Sequence, residues 1–327
     1  MKAAVYYETG SPSVLRYEDV PDPVCHPRGV VIEVEAVSIE GGDVLNRAGG
    51  MMTAKPHIVG YQAGGVIREV GREVTDRRVG QRVVAISPNG SHASLFSVPS
   101  TSTWVVPGGL DIAQAACVPI AFGTADECLF EFGRLKAGES VLIQAGAGGV
   151  GLAAIQLAKR AGATVFATAS SDDKLARLKE FGLDHGINYR GRDFVEEVKR
   201  LTDGRGVDLV VDSVGGDVLQ GSLRSLAYKG RAISVGNAGR DRQAPDLTIL
   251  GGRNSSYTSV YFGGSRNEEP GRVMPMVQGH LEDVKAGKLR VIIDRTFPLS
   301  QAAAAHEYIE SRLAFGRVVL APSAAPS

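Results

Sequence analysis

The stretch Val141–Ser170, VLIQAGAGGVGLAAIQLAKRAGATVFATAS, decides the fold. An apolar run (VLIQ) meets a cluster of glycines, a run with helical spacing follows, and a second apolar, β-branched run (TVFATA) closes it. Strand, turn, helix and strand in this order make a βαβ unit. Gly146, Gly148 and Gly151 stand in it as G-x-G-x-x-G, with Gly149 and Val150 between the last two. Gly146 suits the tight turn, Gly148 lets a pyrophosphate approach the backbone, and Gly151 lets the helix pack closely on the strand. The N–H groups and positive dipole of the helix start then hold the anion. The stretch predicts a dinucleotide-binding domain.

The end of its second strand narrows the cofactor. A carboxylate there would hydrogen-bond the ribose hydroxyls of NAD and repel a 2′-phosphate. This chain has Ala169-Ser170-Ser171 instead, and Lys174 one helical turn on. Asp172 and Asp173 lie nearby, but at a helix start they are expected to face solvent and serve the N-terminus. The reading favours NADPH.

Working outward, strands and helices alternate on the C-terminal side: DDKLARLKEFG, GINYR, DFVEEVKRLT, VDLVVDSVG, DVLQGSLRSLAYKG and RAISVGN. This alternation predicts a doubly wound parallel sheet. On the N-terminal side the first ~115 residues hold short β-branched runs broken by Gly and Pro, among them VVIEVEAVSI, GGVIREVG and QRVVAIS, which read as a β-rich unit. After about residue 265 come a helix (EEPGRVMPMVQGHLEDVKAGK), a strand (VIIDRTFPLS), a helix (QAAAAHEYIESR) and a strand (GRVVLAP), expected to return to the first domain. The terminal APSAAPS is expected to fray.

With a formal net charge of zero, the chain offers no electrostatic case for nucleic acid or an anionic membrane surface. No apolar run is long enough to span a bilayer, and the N-terminus lacks a signal-peptide core. Cys25, Cys117 and Cys128 are scattered and odd in number, which points to reduced thiols in a cytoplasmic protein.

Beyond these blocks the chain resembles the zinc-free quinone oxidoreductase (zeta-crystallin-like) branch of the medium-chain dehydrogenase/reductase superfamily. The likeness runs through AAVYYETGSPSVLRYEDVPDP, FGTADECLFEFGRLKAGESVLIQAGAGGVG, HGINYRGRDF, GVDLVVDSVGGDVL, ISVGNAG and AHEYIESR. It implies an α/β protein: a GroES-like β-rich catalytic domain from residues 1–117 and 266–327, and a Rossmann NADP-binding domain from 118–265. The cofactor would lie in the cleft. It also implies homodimers joined through the Rossmann edge strand, here NSSYTSVYFGG (Asn254–Gly264). The family's 2′-phosphate contacts fall on Lys174, Tyr189 and Arg312, with Ser170 able to help. Thr124 matches the threonine near the nicotinamide, and Gly236 and Asn237 would lie beside the nicotinamide riboside.

The zinc enzymes of the superfamily need a cysteine in VSIEGGDVL and a His-Glu pair after a glycine, where this chain has Glu40 and Gly60-Tyr61-Gln62. Tyrosine and glutamine are poor zinc ligands, so no metal is expected. Cys117 reads as a small buried hydrophobe. The zinc-free relatives typically carry asparagine at Glu40 and often tyrosine near Leu45. Glu40, if desolvated, could serve as a general acid, or could merely accept hydrogen bonds from a ribose hydroxyl or a backbone N–H. Asp43 is expected to cap the short helix DVLNRAG, and Tyr61 to line the substrate cleft by stacking or donating a hydrogen bond.

Three functions follow. The first is an NADPH-dependent reductase that passes hydride to a quinone or similar conjugated acceptor without metal. The second is an enoyl or alkenal reductase acting on a C=C bond beside a carbonyl, in keeping with DVLN, which resembles polyketide-synthase enoyl reductases. The third is a non-catalytic NADPH-binding sensor or structural protein.

Overall fold

The computed structural model describes residues 1–241 and 243–322, so most of the terminal APSAAPS stretch lies outside the described residues. Contacts divide the chain into two units, 1–120 with 271–327 and 121–270. The elements run β1 (Lys2–Tyr6), β2 (Arg16–Asp19), β3 (Gly29–Ser38), α1 (Gly41–Gly49), β4 (His57–Ile58), β5 (Gln62–Val70), β6 (Arg82–Ile86), β7 (Leu95–Pro99), β8 (Thr103–Val105), α2 (Ile112–Ala116) and α3 (Val118–Asp126). Then come β9 (Ser140–Ile143), α4 (Gly149–Arg160), β10 (Thr164–Ala169), α5 (Asp172–Leu178), β11 (His185–Asn188), α6 (Phe194–Leu201), β12 (Val207–Asp212), α7 (Gly216–Arg224), β13 (Leu226–Ser234) and β14 (Ser256–Ser259). The chain closes with α8 (Phe262–Glu268), α9 (Pro270–Lys285), β15 (Ile293–Pro298), α10 (Ala302–Glu310) and β16 (Arg317–Ala321).

In the first unit the sheet follows the order β15-β16-β3-β5-β6-β8, with β7 also paired to β3, and β1 forms a smaller sheet with β2 and β4. The long strand β3 alternates apolar and charged residues over Glu33 and Glu35, so one face packs while the other meets solvent. Ile32, Ile67, Val83, Phe96 and Leu320 fill the core beneath it. The last strand, β16, pairs antiparallel with the end of β3 through Val319↔Ser38 and Leu320↔Val37.

The second unit is a parallel sheet in the order β11-β10-β9-β12-β13-β14, the doubly wound arrangement. Its central strands are buried on both faces, which is why VLI, VFA and LVV are continuous apolar runs. The order reverses at β9, between β10 and β12, and ligands of such sheets bind beyond the carboxyl ends of the strands at that reversal.

Two elements differ from the sequence expectation. The helix expected to run through DVLQGSLRSLAYKG ends at Arg224, because Leu226 is drawn into the sheet opposite Val207 as the start of β13. The expected edge strand Asn254–Gly264 shortens to Ser256–Ser259. Asn254 adopts a left-handed conformation (φ 51°) that closes the turn before it, and the backbone leaves the sheet to start α8 at Phe262. Among the described residues no helix is long and apolar enough to cross a membrane.

Candidate functional site

The glycine turn sits between β9 and α4, stitched to β10. Ala145, at φ 53°, is a left-handed non-glycine residue, a conformation that costs about 1–2 kcal/mol. Its N–H donates to Thr168 Oγ1 at 3.2 Å, and the Gly146 N–H donates to the Thr168 carbonyl at 2.8 Å. A Cβ on Gly146 would meet that of Ala167 at 2.8 Å, and one on Gly151 would come within 2.4 Å of the Ala145 carbonyl oxygen. These two glycines serve close packing. Gly148 differs: it is exposed, it caps α4, and an added Cβ would meet nothing nearer than 3.4 Å. Gly149, Val150 and Gly151 form the first turn of α4, whose N–H groups have no partner within the helix. The open space at Gly148 and these donors fit a pyrophosphate.

At the ends of the next two strands, β10 and β11 run in parallel with Ala169 opposite Asn188. Ser170 and Tyr189 are therefore the next residues of adjacent strands, and the Tyr189 N–H donates to the Ala169 carbonyl at 3.2 Å. Ser171 caps α5, its hydroxyl accepting from the Lys174 N–H at 3.3 Å, which places Lys174 in the first turn beyond Ser170. Asp172 and Asp173 are exposed, and the Asp172 carboxylate accepts from the Asn188 amide at 3.2 Å. Fold and register thus gather Ser170, Lys174 and Tyr189 at one sheet corner. Arg312, exposed and left-handed (φ 59°) after α10, belongs to the other unit.

Gly236 and Asn237 follow β13, in a loop tied to the one after β12 by N–H bonds from Ala238 to Ser213 O (3.0 Å) and from Gly239 to Val214 O (2.8 Å). The Asn237 amide donates to the Asp241 carbonyl at 2.7 Å, while its Oδ1 is buried without a hydrogen-bond partner. An acceptor left in that state fits a donor from a bound molecule, such as a ribose hydroxyl or a carboxamide. Gly215, which the sequence did not single out, makes room for it: at φ 82° a Cβ there would lie 2.5 Å from Asn237 Oδ1. Thr124 is buried in α3.

The first unit carries the other candidates. Glu40 is the N-cap of α1, and its carboxylate accepts from Arg317, from the Gln62 amide and from the Ser38 hydroxyl, the last at 3.5 Å. Arg317 also donates to Ser38 Oγ at 3.0 Å and to the Ile39 carbonyl at 2.8 Å. Gln62 is fixed in turn by the Ile120 N–H, donated to its Oε1 at 3.1 Å. Burial pushes the Glu40 carboxyl above its ordinary range, and the guanidinium held against it opposes that rise. Cys117 is fully buried, as expected of a small hydrophobe, and burial raises its thiol. Asp43 is the third residue of α1 and not its N-cap. Its Oδ2 accepts the Glu40 N–H at 2.8 Å, and burial pushes its carboxyl well up. Tyr61 is half-buried, with its phenol oxygen 2.9 Å from the Asn46 amide nitrogen.

Zinc does not fit these residues. A guanidinium occupies the space against Glu40, and the neighbouring side chains are an amide and a phenol. Among the described residues no group of three or more His, Cys, Asp or Glu gathers at metal-binding distance. Sequence reading missed Arg317 and Asn46. The signal for Arg317 was a charge opening the otherwise apolar strand RVVLA.

Comparison with known proteins shows what the chain is similar to over nearly its whole length. Residues 26–129 match the alcohol dehydrogenase GroES-like domain, and residues 149–279 match the domain described as zinc-binding dehydrogenase. A 2-haloacrylate reductase from a Burkholderia species is 34% identical over 98% of this chain and 99% of its own. A quinone oxidoreductase of Pseudomonas aeruginosa is 33% identical over 96% of this chain and 97% of its own. The crystal structure of Escherichia coli quinone oxidoreductase complexed with NADPH superposes with a TM-score of 0.93 at 28% identity, covering 98% of this chain and 100% of that one. The chain belongs to the medium-chain dehydrogenase/reductase superfamily, in its quinone oxidoreductase branch.

Proposed function

We propose that the protein is an NADPH-dependent reductase that transfers hydride to a quinone or a similar conjugated acceptor without a metal. The observation that carries the cofactor choice is the corner formed by Ser170, Lys174 and Tyr189, where an NAD-binding sheet would place a carboxylate. When bound, the dinucleotide supplies the hydride. The chain's residues bind and orient it: the α4 N-terminus from Gly148 to Gly151 holds the pyrophosphate, Gly146 keeps the turn tight, and Ser170, Lys174 and Tyr189 hold the 2′-phosphate. The family resemblance assigns Arg312 to the same phosphate, Gly236 and Asn237 to the nicotinamide riboside, and Thr124 to the nicotinamide. Glu40 we assign to holding Arg317, because its carboxylate already serves a buried cation. Tyr61, whose phenol is half-buried, we assign to the acceptor.

Reduction of a C=C bond beside a carbonyl is the second reading, favoured by the full-length likeness to a 2-haloacrylate reductase. The deciding experiment measures NADPH oxidation against quinones, alkenals, haloacrylates and enoyl thioesters, with NADH in parallel. Fast turnover of quinones supports the first reading, and turnover confined to activated alkenes supports the second. Tight NADPH binding without any turnover would return the protein to a sensor or structural role, and equal use of NADH would overturn the phosphate corner. We further propose a homodimer joined through β14, tested by sedimentation, and residence in the cytoplasm, in keeping with its free cysteines.

A further inference from the structure

We propose that Gln144, Thr168, Ser222 and Asp212 are positioning residues that hold the nicotinamide side of the dinucleotide site in register with its pyrophosphate turn. The inference rests on the NADPH reading above and adds residues that it did not contain. All four side chains are buried. Thr168, Gln144 and Asp212 stand at the carboxyl ends of the adjacent strands β10, β9 and β12, where the strand order reverses, and Ser222 comes from α7. Together they make one chain of hydrogen bonds. The Ala145 N–H donates to Thr168 Oγ1 at 3.2 Å, the Thr168 hydroxyl donates to Gln144 Oε1 at 2.6 Å, and Gln144 Nε2 donates to Ser222 Oγ at 3.1 Å. The Ser222 hydroxyl donates to Asp212 Oδ2 at 2.7 Å, and Asp212 Oδ1 accepts the N–H groups of Val214 and Gly215, each at 2.8 Å.

The chain has a direction. A backbone N–H can only donate and an ionised carboxylate can only accept, so Ala145 at one end and Asp212 at the other set the sense of the bonds between them. Bonds aligned in this way polarise and strengthen one another. The two ends belong to the two halves of the site. Ala145 opens the glycine turn before α4. Val214 and Gly215 anchor the loop that the reading above assigns to the nicotinamide riboside: the Gly239 N–H donates to the Val214 carbonyl at 2.8 Å, and Gly215 has no room for a Cβ beside Asn237 Oδ1. Stability alone does not call for these polar groups, because replacing both partners of a buried hydrogen bond by apolar groups of the same shape is often nearly neutral. Apolar packing is non-directional, whereas these bonds fix where each loop stands.

The test titrates the full chain with NADPH and NADH, followed by nicotinamide fluorescence, and with 2′,5′-ADP, followed by calorimetry. The last ligand carries the 2′-phosphate and no nicotinamide. Wild type is compared with Ser222→Ala, Thr168→Val, Thr168→Ser and the double variant Thr168→Val/Ser222→Ala, each with its urea midpoint. Gln144→Met breaks the chain at its middle and takes the place of Ser222→Ala if that variant folds poorly. Ser222→Ala should weaken NADPH binding by about 3–10-fold, the equivalent of one buried hydrogen bond. The emission of the bound nicotinamide should move toward that of free NADPH, while 2′,5′-ADP binds as it does to wild type. Thr168→Ser, which keeps the hydroxyl, should match wild type with every ligand. Because both sites act through one chain, the double variant should lose little more NADPH affinity than the weaker-binding single variant, not the product of the two losses. If NADPH and 2′,5′-ADP weaken together in step with the urea midpoint, or if NADPH affinity and emission stay at wild type in Ser222→Ala and Gln144→Met, the positioning role is overturned and the NADPH reading stands. A wild type that binds NADPH no better than NADH would instead remove the reading on which the proposal rests.

Discussion

Arg317, at the start of the last strand, and Glu40, at the N-cap of the first helix, form an ion pair whose side chains are only 9% and 5% exposed. The pair ties β16 to the turn between β3 and α1, two segments 277 residues apart in sequence. Removing one member of a buried pair leaves the other charge unpaired in a poor solvent, which costs about 3–5 kcal/mol. Glu40→Gln should therefore lower the unfolding free energy by that amount in urea titration. Its folded fraction should keep the wild-type pH profile of turnover, and a shifted profile would restore Glu40 as an acid. The double variant Glu40→Gln/Arg317→Met should recover much of the lost stability.

The glycine turn gives a contrast between two similar substitutions. Gly151→Ala would force a Cβ to within 2.4 Å of the Ala145 carbonyl oxygen, so helix and turn must separate. Overpacking of this kind costs about 1–3 kcal/mol, visible as a lower melting temperature without ligand. Gly148→Ala adds a methyl that meets only the Ala145 carbonyl oxygen, at 3.4 Å, and at φ −82° alanine adopts the backbone freely. Its melting temperature should stay near wild type while NADPH affinity, measured by fluorescence titration, falls about tenfold or more. A variant at 148 that melts early yet binds normally would contradict this division.

These glycines also mark how far the sequence alone could be read. The doubly wound unit was legible because its buried strands leave uninterrupted apolar runs and its turn needs glycine for steric reasons. The parallel register of β10 and β11 carries Ser170 and Tyr189 to one corner, although it was the family resemblance, not any local pattern, that pointed to Tyr189. The end of α7 was not legible, because the sheet recruits Leu226 through a partner, Val207, on a different strand. Glu40 was legible as unusual and not as paired, since its cation lies in β16, far along the chain. Asn46 looked like any polar residue of a short helix. Its meaning depends on Tyr61 folding back over Gly42, a contact that no local pattern encodes.

His306 and His92 predict the acid limit of the fold. Their Nε2 atoms lie 3.1 Å apart, both rings are buried, and burial pushes His306 down to about 3, with His92 also well below its ordinary value. Below the unfolded value of 6.5 the unfolded chain binds protons that the folded rings refuse, so stability is full above that pH and falls as pH drops toward the folded value. Near pH 4.5 the loss due to His306 should reach about 2–3 kcal/mol. His306→Gln keeps a hydrogen-bonding group but cannot titrate. Its urea midpoint should therefore fall less steeply than wild type between neutral pH and pH 4.5. Parallel curves for the two proteins would remove His306 as a source of acid sensitivity.

Cofactor choice should follow the corner at the ends of β10 and β11. Lys174 follows Ser171 by three residues, and a charge-assisted hydrogen bond to a 2′-phosphate contributes about 1.5–3 kcal/mol. Lys174→Ala should raise the KM for NADPH by about 10–100-fold, leaving that for NADH nearly unchanged, since NADH offers no phosphate to lose. Ser170→Asp should go further, because a carboxylate beyond Ala169 both repels the phosphate and accepts the two ribose hydroxyls of NADH. Asp172 is already present at this corner, but its carboxylate is held 3.2 Å from the Asn188 amide, away from the role that Ser170→Asp would introduce. Steady-state kinetics of the three proteins with both dinucleotides settle the matter. A preference for NADPH that survives both substitutions would move the 2′-phosphate to another part of the chain.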